Sequence, residues 1–152
     1  MADRSTFVGV WELEEIEDFL EGKRGRALAV GFEKPVGLLI YLASGVMSVN
    51  FAGTSRIPFL REFSPSPSEL SAAGAAYGGY AGRWELDEAR PEMLHHVETA
   101  FVPNRVGRTV RRSYSFKENL LFLRPIALSP GDEAPNRVLT WRRRAASGSP
   151  VL

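Results

Sequence analysis

Residues 36–51 read VGLLIYLASGVMSVNF, two runs of alternating side chains on either side of a short turn. Successive side chains of a β-strand point to opposite faces, so Leu39 and Tyr41 share one face of the first run and Ile40 lies on the other. Both faces of that run are apolar, as expected of a strand in the wall of a curled sheet. Ser44-Gly45 suits a tight hairpin, and the stretch therefore predicts two adjacent antiparallel strands.

The same alternation continues toward both ends of the chain, interrupted by turns rich in Pro, Gly, Asn and Asp. It predicts further strands over residues 77–86, 93–102, 109–116, 120–124 and 137–143. Residues 11–20 fit both helical and strand spacing, and we interpret them as a strand. About eight or nine short strands at this spacing are typical of an all-β, antiparallel barrel.

One segment breaks the β pattern and predicts a short helix. Ser66 suits the N-cap, Pro67 suits the first helical position, and Glu69 completes a capping box with Ser66. The alanines that follow favour a helix, and Gly78-Gly79 ends it. We expect this helix to cover either a mouth of the barrel or its outer wall.

Composition and charge narrow the classes of function. The chain has 152 residues, 44% hydrophobic and 24% charged, which fits one globular domain, expected over residues 7–144 with flexible tails at 1–6 and 145–152. A net charge of +1 gives no argument for nucleic acid or an anionic membrane surface as a partner. The absence of cysteine excludes disulfides, thiolate nucleophiles and zinc–sulfur sites. The start lacks a signal peptide and no apolar run reaches a membrane span of about 20 residues, so we expect a cytoplasmic protein.

Several strings along the chain carry a family resemblance: Gly9-Val10-Trp11, Tyr80-Ala81-Gly82-Arg83-Trp84-Glu85, His95-His96-Val97-Glu98, Phe101-Val102-Pro103-Asn104-Arg105-Val106-Gly107 and Leu139-Thr140-Trp141. Together with residues 36–49, their order and spacing resemble the lipocalin-like domain family of bacteria and fungi. The resemblance implies a closed or nearly closed barrel around a pocket. Members often occur beside biosynthetic enzymes for polyketides and other secondary metabolites, which implies binding or cyclising such molecules. No single activity is shared by the family.

The two histidines of the chain are adjacent, so His95 and His96 must point to opposite faces of their strand. His96 shares its face with Glu98, and such a pair suits proton transfer because the carboxylate fixes the imidazole tautomer and raises its basicity. The alternative is a hydrogen-bonded wall element or an outward, salt-linked patch. The other register of this hairpin would instead place His95 beside Trp84. We expect His96 and Glu98 to face the cavity, since the resemblance makes both part of a recurring motif.

Further polar and aromatic side chains are candidates for contact with a ligand. Tyr80 and Tyr41 carry hydroxyl groups that can donate to a ligand carbonyl or enolate, and we assign Tyr80 a catalytic role beside His96 and Glu98. The remaining residues predicted to bind a ligand are Ser48, Asn50, Trp84, His95, Asn104 and Arg111.

Two of these assignments concern the strand near residue 110 and the turn before it. Because neighbours on a strand alternate, one of Arg111 and Arg112 should face the interior, and we assign Arg111. A buried arginine needs a partner, for which Glu98 or a ligand carboxylate would serve. Asn104 most simply forms a turn, with a ligand contact as the alternative. Arg105 stands where an aromatic residue is usual in the family, so either that ring's packing is replaced or a different ligand is bound at that mouth.

These observations support two functions of different class. The first is an enzyme that cyclises or isomerises a polyketide-like intermediate, mainly by holding the reacting atoms together. The second is a carrier that binds a small, mainly apolar metabolite without chemistry. A purely structural partner protein is the weakest hypothesis, because no large exposed apolar patch is evident in the sequence.

Other chemistries find little support. A metal site needs about three converging ligands, and this strand face supplies two, so no metal and no cofactor are expected. We interpret Gly22-Lys23-Arg24-Gly25 as a turn and not as a phosphate-binding loop, and no Gly-x-Ser-x-Gly elbow occurs. The oligomeric state is left open, with a homodimer as one option.

Overall fold

The structure, a computed structural model, describes residues 2–20, 23–26, 34–127 and 136–145. In these residues it contains nine strands: β1 (Gly9–Leu20), β2 (Lys23–Arg26), β3 (Pro35–Tyr41), β4 (Val46–Gly53), β5 (Tyr77–Leu86), β6 (Glu92–Ala100), β7 (Thr109–Lys117), β8 (Leu120–Ile126) and β9 (Arg137–Arg143). One α-helix, α1 (Pro67–Ala75), and two 3₁₀ turns at Arg4–Thr6 and Pro103–Arg105 complete the described elements. The tail predicted beyond residue 145 lies outside the described residues.

Eight of these strands form a closed antiparallel barrel. β1 pairs with β3, each later strand pairs with the next along the chain, and β9 returns to pair with β1. The predicted all-β barrel with one helix is confirmed, and so is the strand predicted over residues 11–20.

β2 lies outside the eight-stranded ring. β3 pairs only with residues 9–12 of β1. The same edge of β1 is free of β3 further along, and β2 pairs with it at residues 17–20. The turn predicted at Gly22-Lys23-Arg24-Gly25 is therefore wrong from Lys23 onward, where the backbone forms strand hydrogen bonds with β1.

One end of the barrel is filled by aromatic side chains. Phe7 is fully buried, and its ring centroid lies 4.8 Å from that of Tyr114 and 5.0 Å from that of Phe116. Trp11 donates its indole N–H to the Phe7 carbonyl oxygen at 2.9 Å, and the Arg143 guanidinium lies 4.1 Å from the centre of the Trp11 ring. Edge-to-face ring contacts and a cation–π contact both stabilise this cluster. We call it the aromatic plug.

The β5–β6 hairpin decides which side chains of β6 face the interior. Trp84 on β5 pairs with His95 on β6, and both side chains are buried inside the barrel. A β-bulge follows on this pair of strands, where Gly82 approaches the backbone of β6. A Cβ atom at Gly82 would lie 2.0 Å from the His96 carbonyl oxygen, so a residue with a side chain does not fit there.

Helix α1 begins with the predicted capping box. The Glu69 N–H donates to Ser66 Oγ at 3.2 Å, and the Ser66 N–H donates to Glu69 Oε2 at 2.7 Å. None of the residues of α1 is buried. Near its end, Gly74 lies so close to Phe101, just after β6, that a Cβ would be 3.2 Å from the ring. The helix is thus confirmed and lies beside β5 and Phe101, but the end predicted at Gly78-Gly79 is wrong, because the helix ends at Ala75 and both glycines lie in β5.

The connection between β4 and α1 exposes three large apolar side chains. Ile57, Leu60 and Phe63 are 87%, 90% and 93% exposed. Within the part of the chain that is described, no helix combines the length and apolarity that crossing a membrane requires.

Candidate functional site

The barrel contains a cavity of about 360 Å³ away from the aromatic plug. This volume is within the range of small-molecule sites. Ten of its sixteen lining residues are apolar, with Leu39, Val49, Leu123 and Leu139 among them. The polar and charged side chains that line it are Tyr80, His95, Arg105, Arg108, Arg112 and Arg137.

His95 is held between two tyrosine hydroxyls. Its Nε2 lies 2.8 Å from the Tyr41 hydroxyl oxygen, and its Nδ1 lies 2.7 Å from the Tyr80 hydroxyl oxygen. The three residues come from β3, β5 and β6, and all three side chains are buried. Both ring nitrogens are therefore engaged inside the barrel.

Burial keeps this triad neutral. Desolvation lowers the pKa of His95 well below its ordinary value of 6.5, and electrostatic interactions with Arg112 and with His96 act in the same direction. Desolvation also raises the pKa of Tyr41 well above its ordinary value of 10.0. An uncharged imidazole carries one N–H and one lone pair, so it donates to one tyrosine and accepts from the other.

The surroundings of Tyr41 fix the direction of this hydrogen-bond chain. Tyr41 is 0% exposed, and within the described part of the chain His95 is the one hydrogen-bond partner of its hydroxyl. Leaving a buried O–H without an acceptor costs about 1–3 kcal/mol, so Tyr41 donates to Nε2. The ring proton then resides on Nδ1 and is donated to the Tyr80 oxygen. The Tyr80 O–H is left free to donate into the cavity that Tyr80 lines.

Arginine side chains make the cavity strongly cationic. Arg137 is paired with Asp18, through contacts of 2.6 and 3.0 Å. Arg112 donates from Nη1 to the Arg111 carbonyl oxygen at 2.8 Å, and the Arg105 guanidinium lies 5.8 Å from the Tyr80 ring centre. Burial lowers the pKa of Arg105, and the charges of Arg112 and Arg137 lower it further.

The prediction that His96 and Glu98 face the cavity is wrong. The register that pairs Trp84 with His95 turns both of them to the outer face. There His96 Nε2 lies 3.2 Å from Glu85 and Glu98 lies 3.3 Å from Arg83. The outward, salt-linked patch is the alternative that the structure shows, and it places neither residue beside Tyr80.

Arg111 is also directed outward, contrary to its assignment. It forms an ion pair with Glu92 at 2.6 Å and one with Asp87 at 3.1 Å, so the partner predicted for it, Glu98, is wrong as well. Its neighbour Arg112 lines the cavity instead. The physical reason is the strand alternation, which puts Arg112 on the same face as the inward Val110.

Three polar residues predicted to bind a ligand lie away from the cavity. Ser48 and Asn50 are on the outer face of β4, opposite the buried Val49, and Asn50 accepts a hydrogen bond from the Tyr77 hydroxyl at 2.6 Å. Asn104 is exposed in the 3₁₀ turn Pro103–Arg105, which agrees with its interpretation as a turn residue. In that turn it is Arg105 that lines the cavity.

Four of the predicted site residues do lie in the interior. Tyr80 and His95 line the cavity, and Tyr41 reaches it through its hydrogen bond to His95. Trp84 is buried, with its N–H donating to the Leu42 carbonyl oxygen at 3.0 Å, and it belongs to the core beside the triad. In the described residues, no three His, Asp or Glu side chains come together as a metal site.

The cavity arginines were not among the predicted site residues, although Arg105 and Arg112 were considered, and part of the signal for Arg112 is in the sequence. Val110, Tyr114 and Phe116 alternate as an apolar face, and Arg112 falls on that face while Arg111 does not. Likewise, the cross-strand charge pairs of Arg83 with Glu98 and of Glu85 with His96 stabilise one register of the β5–β6 hairpin.

Comparison with known proteins agrees with this architecture. Residues 8–144 match the protein family described as a lipocalin-like domain, a match that includes every strand from β1 to β9. No curated protein matches the chain.

Proposed function

The chain belongs to the lipocalin-like domain family, and on that basis we propose that its barrel binds a small, mainly apolar molecule and that Tyr80 donates a hydrogen bond to an oxygen atom of it. The observation that supports this most directly is the chain of hydrogen bonds from Tyr41 through His95 to Tyr80, which ends at the cavity. Apolar walls would hold the body of the molecule, and one fixed donor would orient its oxygen.

The hydrogen-bond chain makes Tyr80 a stronger donor than an isolated phenol. Each donor in a chain polarises the next, and the effect is larger where water is excluded. Tyr80 receives the Nδ1–H of a buried histidine, and that histidine receives the Tyr41 O–H. A carbonyl or enolate oxygen of the bound molecule would therefore meet a preorganised donor.

The triad is better suited to donating a hydrogen bond than to removing a proton. Both nitrogens of His95 are occupied, so the ring offers no lone pair to a substrate proton. If Tyr80 gave its proton completely to the ligand and regained one from His95, which in turn took the proton of Tyr41, the negative charge would end on the Tyr41 oxygen. The buried position of Tyr41 opposes that charge. Binding, with polarisation of a carbonyl group, is the function that this geometry favours.

Catalysis is the second candidate, supported by the same preorganised donor. Cyclisation and isomerisation of polyketide-like molecules pass through enols or enolates, and a fixed donor stabilises the charge that develops on the oxygen. The cavity would add proximity by folding the chain of the substrate. In this scheme Tyr80 is the residue that touches the reacting oxygen.

A matched pair of neutral probes tests the binding proposal. 2-Acetylnaphthalene and 2-ethylnaphthalene have nearly the same shape and differ in a single carbonyl group. We expect the wild-type protein to bind the ketone more tightly and Tyr80→Phe to lose that preference, by up to about tenfold in Kd, because one neutral hydrogen bond contributes about 1 kcal/mol. Titration calorimetry gives both constants.

Tyr114→Phe is the control for this measurement, because Tyr114 packs against Phe7 in the aromatic plug. It should keep the wild-type preference for the ketone. An unchanged preference in Tyr80→Phe would contradict the role of its hydroxyl, and failure of both probes to bind the wild-type protein would contradict the proposed cavity function.

A further inference from the structure

Some arginines of this protein have a carboxylate partner and others have none: Arg137, which lines the cavity, is paired with Asp18, whereas Arg56 and Arg124 on the outside lie over aromatic rings. On the outside of the barrel, Arg83, Arg111, Arg142 and Arg144 each lie beside a carboxylate. Arg105, Arg108 and Arg112, which line the cavity, have no carboxylate within ion-pair distance among residues 2–20, 23–26, 34–127 and 136–145. Arg111 and Arg112 show the contrast at adjacent positions, because the first meets two acidic side chains and the second meets none in the described part of the chain.

The other polar side chains of the cavity are also hydrogen-bond donors. Tyr80 has its O–H free, whereas the indole N–H of Trp141 is fully enclosed, without a partner among the described residues, and does not face the cavity. Among the side chains that line the cavity there is no carboxylate, amide or aliphatic hydroxyl to accept from them. Arg105 and Arg108 are exposed and Arg112 is half-buried, so water reaches these guanidinium groups, and a ligand that displaces this water must bring acceptors of its own.

Charge adds to this requirement. A cation that is partly withdrawn from water is stabilised only when an opposite charge or several acceptors compensate it. Arg105 and Arg112 line the same cavity, and although Arg105 is exposed, partial desolvation and repulsion by Arg112 lower its pKa. An anion between the two guanidinium groups would relieve that repulsion.

We propose that the ligand of this cavity carries a carboxylate group, which Arg105 and Arg112 bind while the apolar part of the molecule lies against Leu39, Val49 and Leu123. This inference rests on the proposed binding function and specifies the class of ligand. A guanidinium group matches the two oxygens of a carboxylate in geometry. The Tyr80 hydroxyl supplies a further donor, to a second oxygen of the ligand or to the same group.

A carboxylate fits this wall better than a phosphate does. Phosphate sites add backbone N–H groups from a helix N-terminus or a glycine-rich loop, which serve the additional oxygens and charge. Here the arginines share the cavity with apolar side chains such as Val110, Pro125 and Ile126. A single negative charge on a mainly apolar body is the chemistry that such a lining accommodates.

The test compares 2-naphthoate with 2-acetylnaphthalene, which has the same ring and carbonyl group but a methyl group in place of the charged oxygen. At pH 7.5 we expect the wild-type protein to bind 2-naphthoate at least about tenfold more tightly, since charge-assisted hydrogen bonds exceed neutral ones. Arg112→Gln should reduce this ratio to near one while leaving the Kd of the ketone within about twofold. Arg111→Gln, the adjacent outward residue, should change neither constant.

Arg105→Gln and Arg112→Lys keep the proposal falsifiable if Arg112→Gln fails to fold. The first should lower the ratio, and the second, which retains the charge, should preserve most of it. Equal binding of 2-naphthoate and the ketone by the wild-type protein would overturn the carboxylate while leaving the cavity function intact. Tighter binding of 2-naphthyl phosphate than of 2-naphthoate would overturn it in favour of a phosphate ligand. If no probe binds, the proposed function itself fails.

Discussion

A histidine with both nitrogens hydrogen-bonded to buried tyrosines acts as a connector and not as a base. His95 transmits the orientation of Tyr41 to Tyr80, and its neutral form is the one that can donate to one tyrosine while accepting from the other. Protonation of the ring would place two N–H groups toward Tyr41 and Tyr80 and would add a charge beside Arg112. The triad therefore depends on the neutral state of a single side chain.

This dependence predicts how stability changes with pH. The pKa of His95 is lowered by folding, so below its ordinary value of 6.5 the unfolded chain binds a proton that the folded chain does not. The stabilisation is complete above pH 6.5, and it decreases as the pH falls, by about 1.4 kcal/mol per pH unit, until the folded pKa is reached. Urea unfolding at pH 7.5 and pH 5.5 measures this loss.

The substitution His95→Gln should reduce the loss between the two pH values, although it lowers stability at pH 7.5. His96→Gln is the matched control, because His96 lies on the outer face beside Glu85, and it should keep the wild-type loss. The pKa values of Glu69 and Asp87 are lowered from ordinary values of 4.5 and 3.8, so these carboxylates titrate below the tested pH range. The same loss in His95→Gln as in the wild type would contradict the neutral triad.

The sequence determines only in part which of the two histidines faces the interior of the barrel. Alternation shows that His95 and His96 point to opposite faces, but it does not show which face is interior, because a slip of one residue exchanges them. The bulge beside Gly82 settles the register through backbone contact, and such contacts have no signature in the apolar pattern. The side chains of Arg83 and Glu85, which lie diagonally across from Glu98 and His96, were the available clue.

At the scale of elements, the strands and the helix were predictable because their signals are local. Turn residues limit the strands, and the capping box of Ser66 and Glu69 determines where α1 begins. β2 was not predictable, since it forms on an edge that β1 leaves free only once β3 has paired. Helix α1 lies outside the cavity wall, because none of its residues is buried and none lines the cavity in the part of the chain that is described.

The position of α1 predicts that a substitution which destabilises the helix leaves the rates of ligand binding unchanged. Ser66→Ala removes an acceptor for the Glu69 N–H and should cost about 1 kcal/mol in the free energy of unfolding. The association and dissociation rates of 2-naphthoate, measured by stopped-flow fluorescence, should not change. Ser71→Ala, in the exposed middle of the same helix, should be neutral or slightly stabilising. A changed association rate in Ser66→Ala would show instead that α1 gates the cavity.

The barrel is packed with aromatic side chains at one end and contains the cavity at the other. Closure of β9 onto β1 brings Arg137 to the cavity that Arg105 and Arg112, at least 25 residues earlier in the chain, also line. Local alternation places each arginine on a face of its own strand, and only the closed barrel makes those faces converge. This is why the barrel was predictable from the sequence and the cationic cavity was not. The aromatic plug around Phe7 provides packing at the other end.

The final prediction is that stability and binding can be changed independently by substitutions at the two ends. Phe7 is 0% exposed and contacts the rings of Tyr114 and Phe116, so Phe7→Ala should lower the free energy of unfolding by about 3–5 kcal/mol. Phe63→Ala, at a residue that is 93% exposed, should change it by no more than about 0.5 kcal/mol. Urea unfolding measures both, and Phe7→Leu replaces Phe7→Ala if the latter does not fold. Because Phe7 does not line the cavity, the folded variant should bind 2-naphthoate within about twofold of the wild-type Kd. A tenfold weaker Kd in a folded Phe7 variant would mean that the aromatic plug shapes the cavity as well as closing the barrel.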